Sequence, residues 1–205
     1  MNPIARMQSV RQVSIDAMRD ARLTAREDTV VIEEPLEIRI ARAGEFGMGT
    51  AVSITLRTPG QDVDLAVGFL HGEGIIRSRD DVADVRPCGP TGNIVKVELA
   101  AGVELDPARL QRNFYTTSSC GVCGTASLDA VERMMQSPRV DEAMKVDPAL
   151  FETLSDRARA GQDVFRETGG LHAACLFDEA GNLTDLREDV GRHNALDKLA
   201  GALAH

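Results

Sequence analysis

Residues 168–203 read TGGLHAACLFDEAGNLTDLREDVGRHNALDKLAGAL, and their punctuation decides the fold class. Thr168-Gly169-Gly170 breaks the chain ahead of a strand-like run, Leu171–Phe177. DEAGN, residues 178–182, turns the chain into a second extended run, Leu183–Arg187. EDVGRHNALDKLAGALA then reads as a strand end entering a helix at Gly191. Strand, turn, strand and helix in one stretch point to an α/β or α+β protein, with a mixed sheet and flanking helices.

The same alternation continues toward the N-terminus. Asp147-Pro148 predicts a helix start, an acidic N-cap followed by proline in the first turn, with the helix running to about Ala160. A short helix is expected over Ser127–Gln136 and a strand over Ile94–Leu99. DVDLAVGFLHGEGII follows the turn at Pro59-Gly60 and places Val63, Ala66, Val67 and Leu70 on one helical face, with Asp62 as N-cap. Two alternating runs come before it. Leu36, Ile38 and Ile40 are spaced by Glu37 and Arg39; Val52, Ile54 and Leu56 are spaced by Ser53 and Thr55. Gly44, Gly47 and Gly49 punctuate the link between them. Residues 1–28 are polar and charge-rich and read as a flexible tail. The expected organisation is that tail, a β-rich portion over 29–113 and an α/β portion over 114–205.

Composition narrows the class of function. Hydrophobic residues make up 43% and charged residues 27%, as in a soluble globular protein, and 205 residues suffice for a real core. A net charge of −9 argues against a nucleic-acid surface, which needs clustered positive charge. No apolar run approaches the roughly 18 residues of a membrane span. The first residues lack the apolar core of a signal peptide, so Cys88, Cys120, Cys123 and Cys175 read as cytosolic thiols, and the expected compartment is the cytoplasm.

Two constellations carry chemistry. FYTTSSCGVCGTASLD, residues 114–129, holds Cys120 and Cys123 in a nest of Gly, Ser and Thr with no charge from Phe114 to Leu128. Thiolate is the nucleophile, and a loop entering a helix at Ser127 lowers thiol pKa through the helix dipole and polar donors. Zinc is the rival reading, because His172-Ala-Ala-Cys175 is a second pair at ligand spacing. On a strand, however, positions i and i+3 face opposite sides, so His172 and Cys175 do not easily reach one ion. A deaminase zinc site also wants H-x-E with P-C-x-x-C, and here Ala174 and Ser119 stand in the required places. A thioredoxin-like redox pair would lie early in a βαβ unit, and this one follows a long β-like stretch. Simple packing of two small apolar side chains is the blandest reading.

The second constellation is EDVGRHNALDK, residues 188–198. A helix N-terminus with Gly191, Arg192, His193 and Asn194 in its first turn favours phosphate, and Asp189 is placed to accept hydrogen bonds from a nucleobase. The bland alternative is a capped helix with solvated charges. His71 in GFLHGEG reads as structural.

Taken together, DLAVGFLHGEGII (64–76), SSCGVCG (118–124), TGGLHAACL (168–176) and EDVGRHNALDK (188–198) resemble the formate dehydrogenase accessory sulfurtransferases, FdhD, from about residue 30 to the end. The resemblance implies a cytidine-deaminase-like α/β domain without the deaminase zinc site, preceded by a smaller β-rich portion. It implies a sulfur carrier that takes persulfide sulfur from a cysteine desulfurase. The sulfur goes to the molybdenum or tungsten bis(guanine dinucleotide) cofactor, a bound substrate, for formate dehydrogenase. Cys120 is then the persulfide carrier and Cys123 its assistant. Asp189, Gly191, Arg192, His193 and Asn194, with His172, would line a pocket for guanine nucleotide such as GDP. A homodimer with the formate dehydrogenase catalytic subunit as partner, and no structural metal, is expected. The family pattern continues past the GRHN helix, so the C-terminal part of the family fold is expected to be missing. A non-catalytic zinc- or nucleotide-binding scaffold docking on formate dehydrogenase is the alternative.

Overall fold

A computed structural model of the chain describes residues 9–103 and 146–204. Strands β1 (Val10–Arg19) and β2 (Arg22–Val31) form an antiparallel hairpin. Strands β3 (Glu34–Ala41), β4 (Thr50–Arg57), β5 (Val82–Cys88) and β6 (Ile94–Leu99) form a mixed sheet in the order β4-β3-β6-β5, with β3 and β6 parallel. Helix α1 (Asp62–Gly72) makes the crossover. Helices α2 (Pro148–Gly161) and α3 (Asp163–Thr168) precede the antiparallel pair β7 (His172–Phe177) and β8 (Leu183–Asp189), and helix α4 (Arg192–Leu203) follows. The mixed α/β class is as expected. No helix among the described residues is long and apolar enough to cross a membrane.

The core forms where alternation on the strands meets the apolar face of α1. Leu36, Ile38 and Ile40 of β3 and Val95, Val97 and Leu99 of β6 point to one side of the sheet and are almost wholly buried. Leu65, Ala66, Val67 and Leu70 of α1 cover them. Each of the Leu, Ile and Val side chains contributes about 1.5–3 kcal/mol by leaving water. On the opposite face Lys96 is buried and donates to the Gly47 carbonyl at 2.9 Å, while Arg39 donates to Met48 and Gly49. Those bonds hold the glycine-rich link against the sheet.

Strand β4 departs from its expected facing. Ile38 pairs with Ser53 and Arg39 with Ala51, so Val52 is an unpaired bulge residue. The bulge turns Val52 inward, whereas Ile54 and Leu56 share the outer face with Glu37 and Pro35 and are 70% and 56% exposed. Alternation continued across a bulge assigns the wrong side.

The expected polar tail is corrected over residues 10–28, which lie in the β1–β2 hairpin. Asp20 and Ala21, both at positive φ, make its two-residue turn. Ala21 stands where glycine is usual, and most of β2 is exposed, so neither turn chemistry nor alternation advertises the strands. The cap of α1 also moves by one residue. Gln61, at φ 58°, precedes the helix, and Asp62 instead grips Arg57 with both oxygens, at 3.0 and 2.9 Å. By contrast Asp147 caps α2 as expected, accepting from Ala149 N at 2.9 Å. Strand β5 and helix α3 are additions to the expected elements. The expected helix over 127–136 and the boundary at 113/114 lie outside the described residues.

Helix α4 joins the two halves. It packs on α1 on one side and on β7 and β8 on the other. A methyl group on Gly68 would sit 1.9 Å from the Asp197 carbonyl oxygen, and one on Gly201 would sit 1.9 Å from that of Asp64. The two helices therefore touch backbone to backbone, which only glycine permits at both positions.

Candidate functional site

Strand β8 ends in two buried acids, and each organises a different neighbour. Glu188 accepts from the amides of Val164 and Phe165 at 3.1 and 2.8 Å, capping α3 from another strand. Asp189, wholly buried, is a hub. Its Oδ1 accepts from Gly191 N at 2.8 Å and Asn194 Nδ2 at 3.0 Å. Its Oδ2 accepts from Thr58 N at 3.1 Å and pairs with Lys198 Nζ at 2.7 Å. An ionised carboxylate offers about four acceptor positions, and all four are in use here.

Lys198 is as buried as its partner and also donates to the Thr58 carbonyl at 2.8 Å. Burial pushes its ammonium below the usual lysine range, and the Asp189 charge opposes that shift. Asn194 is engaged on both ends of its amide. It donates to Leu56 O at 2.7 Å and accepts from Thr55 Oγ1 at 3.0 Å.

The residues proposed from the sequence therefore separate into two groups. Asp189 and Asn194 face inward and hold the turn, and the carboxylate expected to accept from a nucleobase is engaged within the protein. Arg192 and His193, in the first turn of α4, are exposed, and Gly191 caps that helix without any side-chain bond. His172 is exposed as well and lies opposite Asp189 in the β7–β8 register, so the structure brings it to the same end of the pair. What faces outward is a helix N-terminus whose first turn carries the exposed Arg192 guanidinium and His193 imidazole, an arrangement suited to an anionic ligand. Contact rather than conformation favours glycine at 191: its φ of −97° is open to any residue, but a methyl group there would crowd Asn194 Nδ2 at 3.0 Å.

Cys120 and Cys123 lie outside the described residues, and so does their distance from this turn. Cys88 and Cys175 are free, half-buried thiols. Burial, with the Glu188 charge second, pushes the Cys175 thiol up, which disfavours the thiolate form. Cys175 pairs with Leu186 and His172 with Asp189, so the two occupy opposite faces of β7 and do not share an ion. Among the described residues no group of three or more His, Cys, Asp or Glu side chains is placed to hold a metal.

An open groove of about 330 Å³ lies elsewhere, lined by Glu34, Arg57, Asp62 and Asn93 among others. Arg57 is buried and already bonded to Asp62, Asn93 and Glu34, so the groove presents no unengaged cation.

Sequence reasoning missed Thr58 and Lys198. A signal for Lys198 was present, because it falls with Ala195 and Leu199 on the buried stripe of α4, where a lysine needs a partner.

The molecule is thus a mixed α/β protein that presents a cationic helix terminus on a buried ionic hub. The chain belongs to the FdhD/NarQ family, whose pattern matches residues 31–205. It is 49% identical over 192 residues to the sulfur carrier protein FdhD of Streptomyces coelicolor, covering 90% of this chain and 66% of that one. To the protein of the same name in Mycobacterium tuberculosis it is 42% identical over 202 residues, covering 94% and 69%. The chain spans about two thirds of the length of these relatives. A crystal structure described as that of a formate dehydrogenase accessory protein, from Desulfotalea psychrophila, shares the fold. Its TM-score is 0.64 at 18% identity, over 96% of this chain and 67% of that one.

Proposed function

We propose that this protein is a sulfur carrier that passes persulfide sulfur from a cysteine desulfurase to the molybdenum or tungsten bis(guanine dinucleotide) cofactor destined for formate dehydrogenase. The observation that carries the reading is its kinship, at 49% identity over 90% of the chain, with a protein named as a sulfur carrier. The C-x-x-C of SSCGVCG supplies the thiols that such a role needs. Cys120 thiolate attacks the outer sulfur of the donor persulfide, and the donor sulfur–sulfur bond breaks. The donor cysteine leaves as a thiolate, and Cys120 becomes the persulfide without net oxidation. Cys123 then releases the terminal sulfur by attacking the inner sulfur of Cys120, forming a disulfide that a cellular thiol reduces, or else shares the persulfide.

In this reading the α4 terminus receives the guanine nucleotide end of the cofactor, and GDP is its partial mimic. Gly191 serves through the turn, its amide held by Asp189 Oδ1, while Arg192 offers a bidentate donor and His193 and His172 further donors. Asp189 and Asn194 act through the geometry of the turn. Partners are a cysteine desulfurase, the formate dehydrogenase catalytic subunit and a second copy of the chain, in the cytoplasm. Incubation with a cysteine desulfurase and cysteine, followed by mass spectrometry, tests the carrier role. One added sulfur atom is expected on the peptide containing Cys120. A persulfide confined to Cys88 or Cys175 would overturn the assignment.

A further inference from the structure

We infer that the buried Asp189–Lys198 pair is a positioning device for the ligand-facing turn, with Lys198 as the positioning residue. Stability alone is a poor reason for such a pair. Taking both charges out of water is costly, and a well-packed apolar pair of similar volume is often as stable or more so. What an ion pair supplies is direction, and here every bond has a distinct destination. Asp189 fixes Gly191 N and Asn194 Nδ2 at the start of α4 and Thr58 N at the end of β4. Lys198, in the next turn of the same helix, reaches back to Asp189 and to the Thr58 carbonyl. Val190, between the acid and the turn, donates its amide to Thr58 Oγ1 at 3.1 Å. Strand end, helix start and the second turn of α4 are thereby tied to one carboxylate. Exposed Arg192 and His193 project from the short stretch those bonds enclose.

The inference rests on the proposed nucleotide reading for its purpose but not for its geometry, and the test separates the two. The double variant D189N/K198M removes both charges while keeping volume. In the folded double variant, amides of β3 and β6 should exchange as in the wild type, while the Gly191 amide should exchange about tenfold faster or more. GDP affinity should fall by about tenfold in the same protein, a loss not accounted for by global stability. Unchanged Gly191 protection with unchanged GDP affinity would overturn the inference. If wild-type protein binds no GDP, the nucleotide reading fails, and Gly191 exchange alone decides the positioning role. Should the double variant not fold, the Lys198 Nζ resonance of the wild type decides instead. That buried signal should shift when GDP is added, and a signal unmoved at saturation would overturn the inference.

Discussion

Asp197 carries the clearest pH signature. It lies on α4 facing the end of α1, where burial, and then the charge of Glu73, raise its carboxyl to about 7. Glu73 is itself pushed up by burial. In the unfolded chain Asp197 loses its proton near 3.8, so between about 4 and 7 the native state binds more protons than the unfolded one. Stability contributed by this group is full below the unfolded value and is lost as pH rises through the folded one. Asp197→Asn removes the charge, so its gain in melting temperature over wild type should be larger at pH 8 than at pH 5. Equal gains at both would show that Asp197 does not titrate as described. Arg192 belongs to the same scale. As the exposed guanidinium at the α4 terminus, it should cost about tenfold in GDP affinity when replaced by alanine, the lower end for a charge-assisted bond. Calorimetry should also find GDP tighter than ADP. Equal affinities would remove guanine selectivity from the proposal.

Between elements, the crossing of α1 and α4 makes the sharpest prediction. Gly68→Ala drives a methyl group into the Asp197 carbonyl, so the helices must part, and a loss of about 1–3 kcal/mol is expected from urea unfolding. Gly72→Ala is the control. Its methyl group would meet only Asp197 Oδ1, at 3.7 Å, so the substitution should be neutral or slightly stabilising. This is also the scale at which the sequence is most and least legible. Leu36, Ile38 and Ile40 could be read because β3 has one buried face throughout. The facing of Ile54 and Leu56 could not, because one unpaired residue reverses parity and nothing in TAVSITLR marks it. The α4 turn was legible as a polar helix start. Which of its residues look inward was not, since that depends on Thr58, which lies 131 residues from Asp189.

For the whole molecule, the β1–β2 hairpin and the four-stranded sheet differ in what shields them. The hairpin is largely exposed, and a two-stranded ribbon in water is marginal, whereas β3 and β6 are paired on both edges and covered by α1. Hydrogen exchange should therefore find hairpin amides unprotected well before those of β3 and β6. Matching protection would mean that the hairpin opens only with the global transition. The glycine crossing bears on the order of assembly. Contacts made by α4 span up to 140 residues of chain, as in the bond from Lys198 to Thr58. Closing such a loop costs roughly 4 kcal/mol of chain entropy, and nothing offsets it until the two backbones meet. Non-local contacts of this kind slow folding, and backbone touching backbone leaves no soft side chain to accept an approximate approach. The sheet and α1 can collapse early, but the turn that presents Arg192 acquires its direction only when α4 seats. On the proposed reading, a chain whose sheet has formed but whose α4 is unseated should bind no GDP.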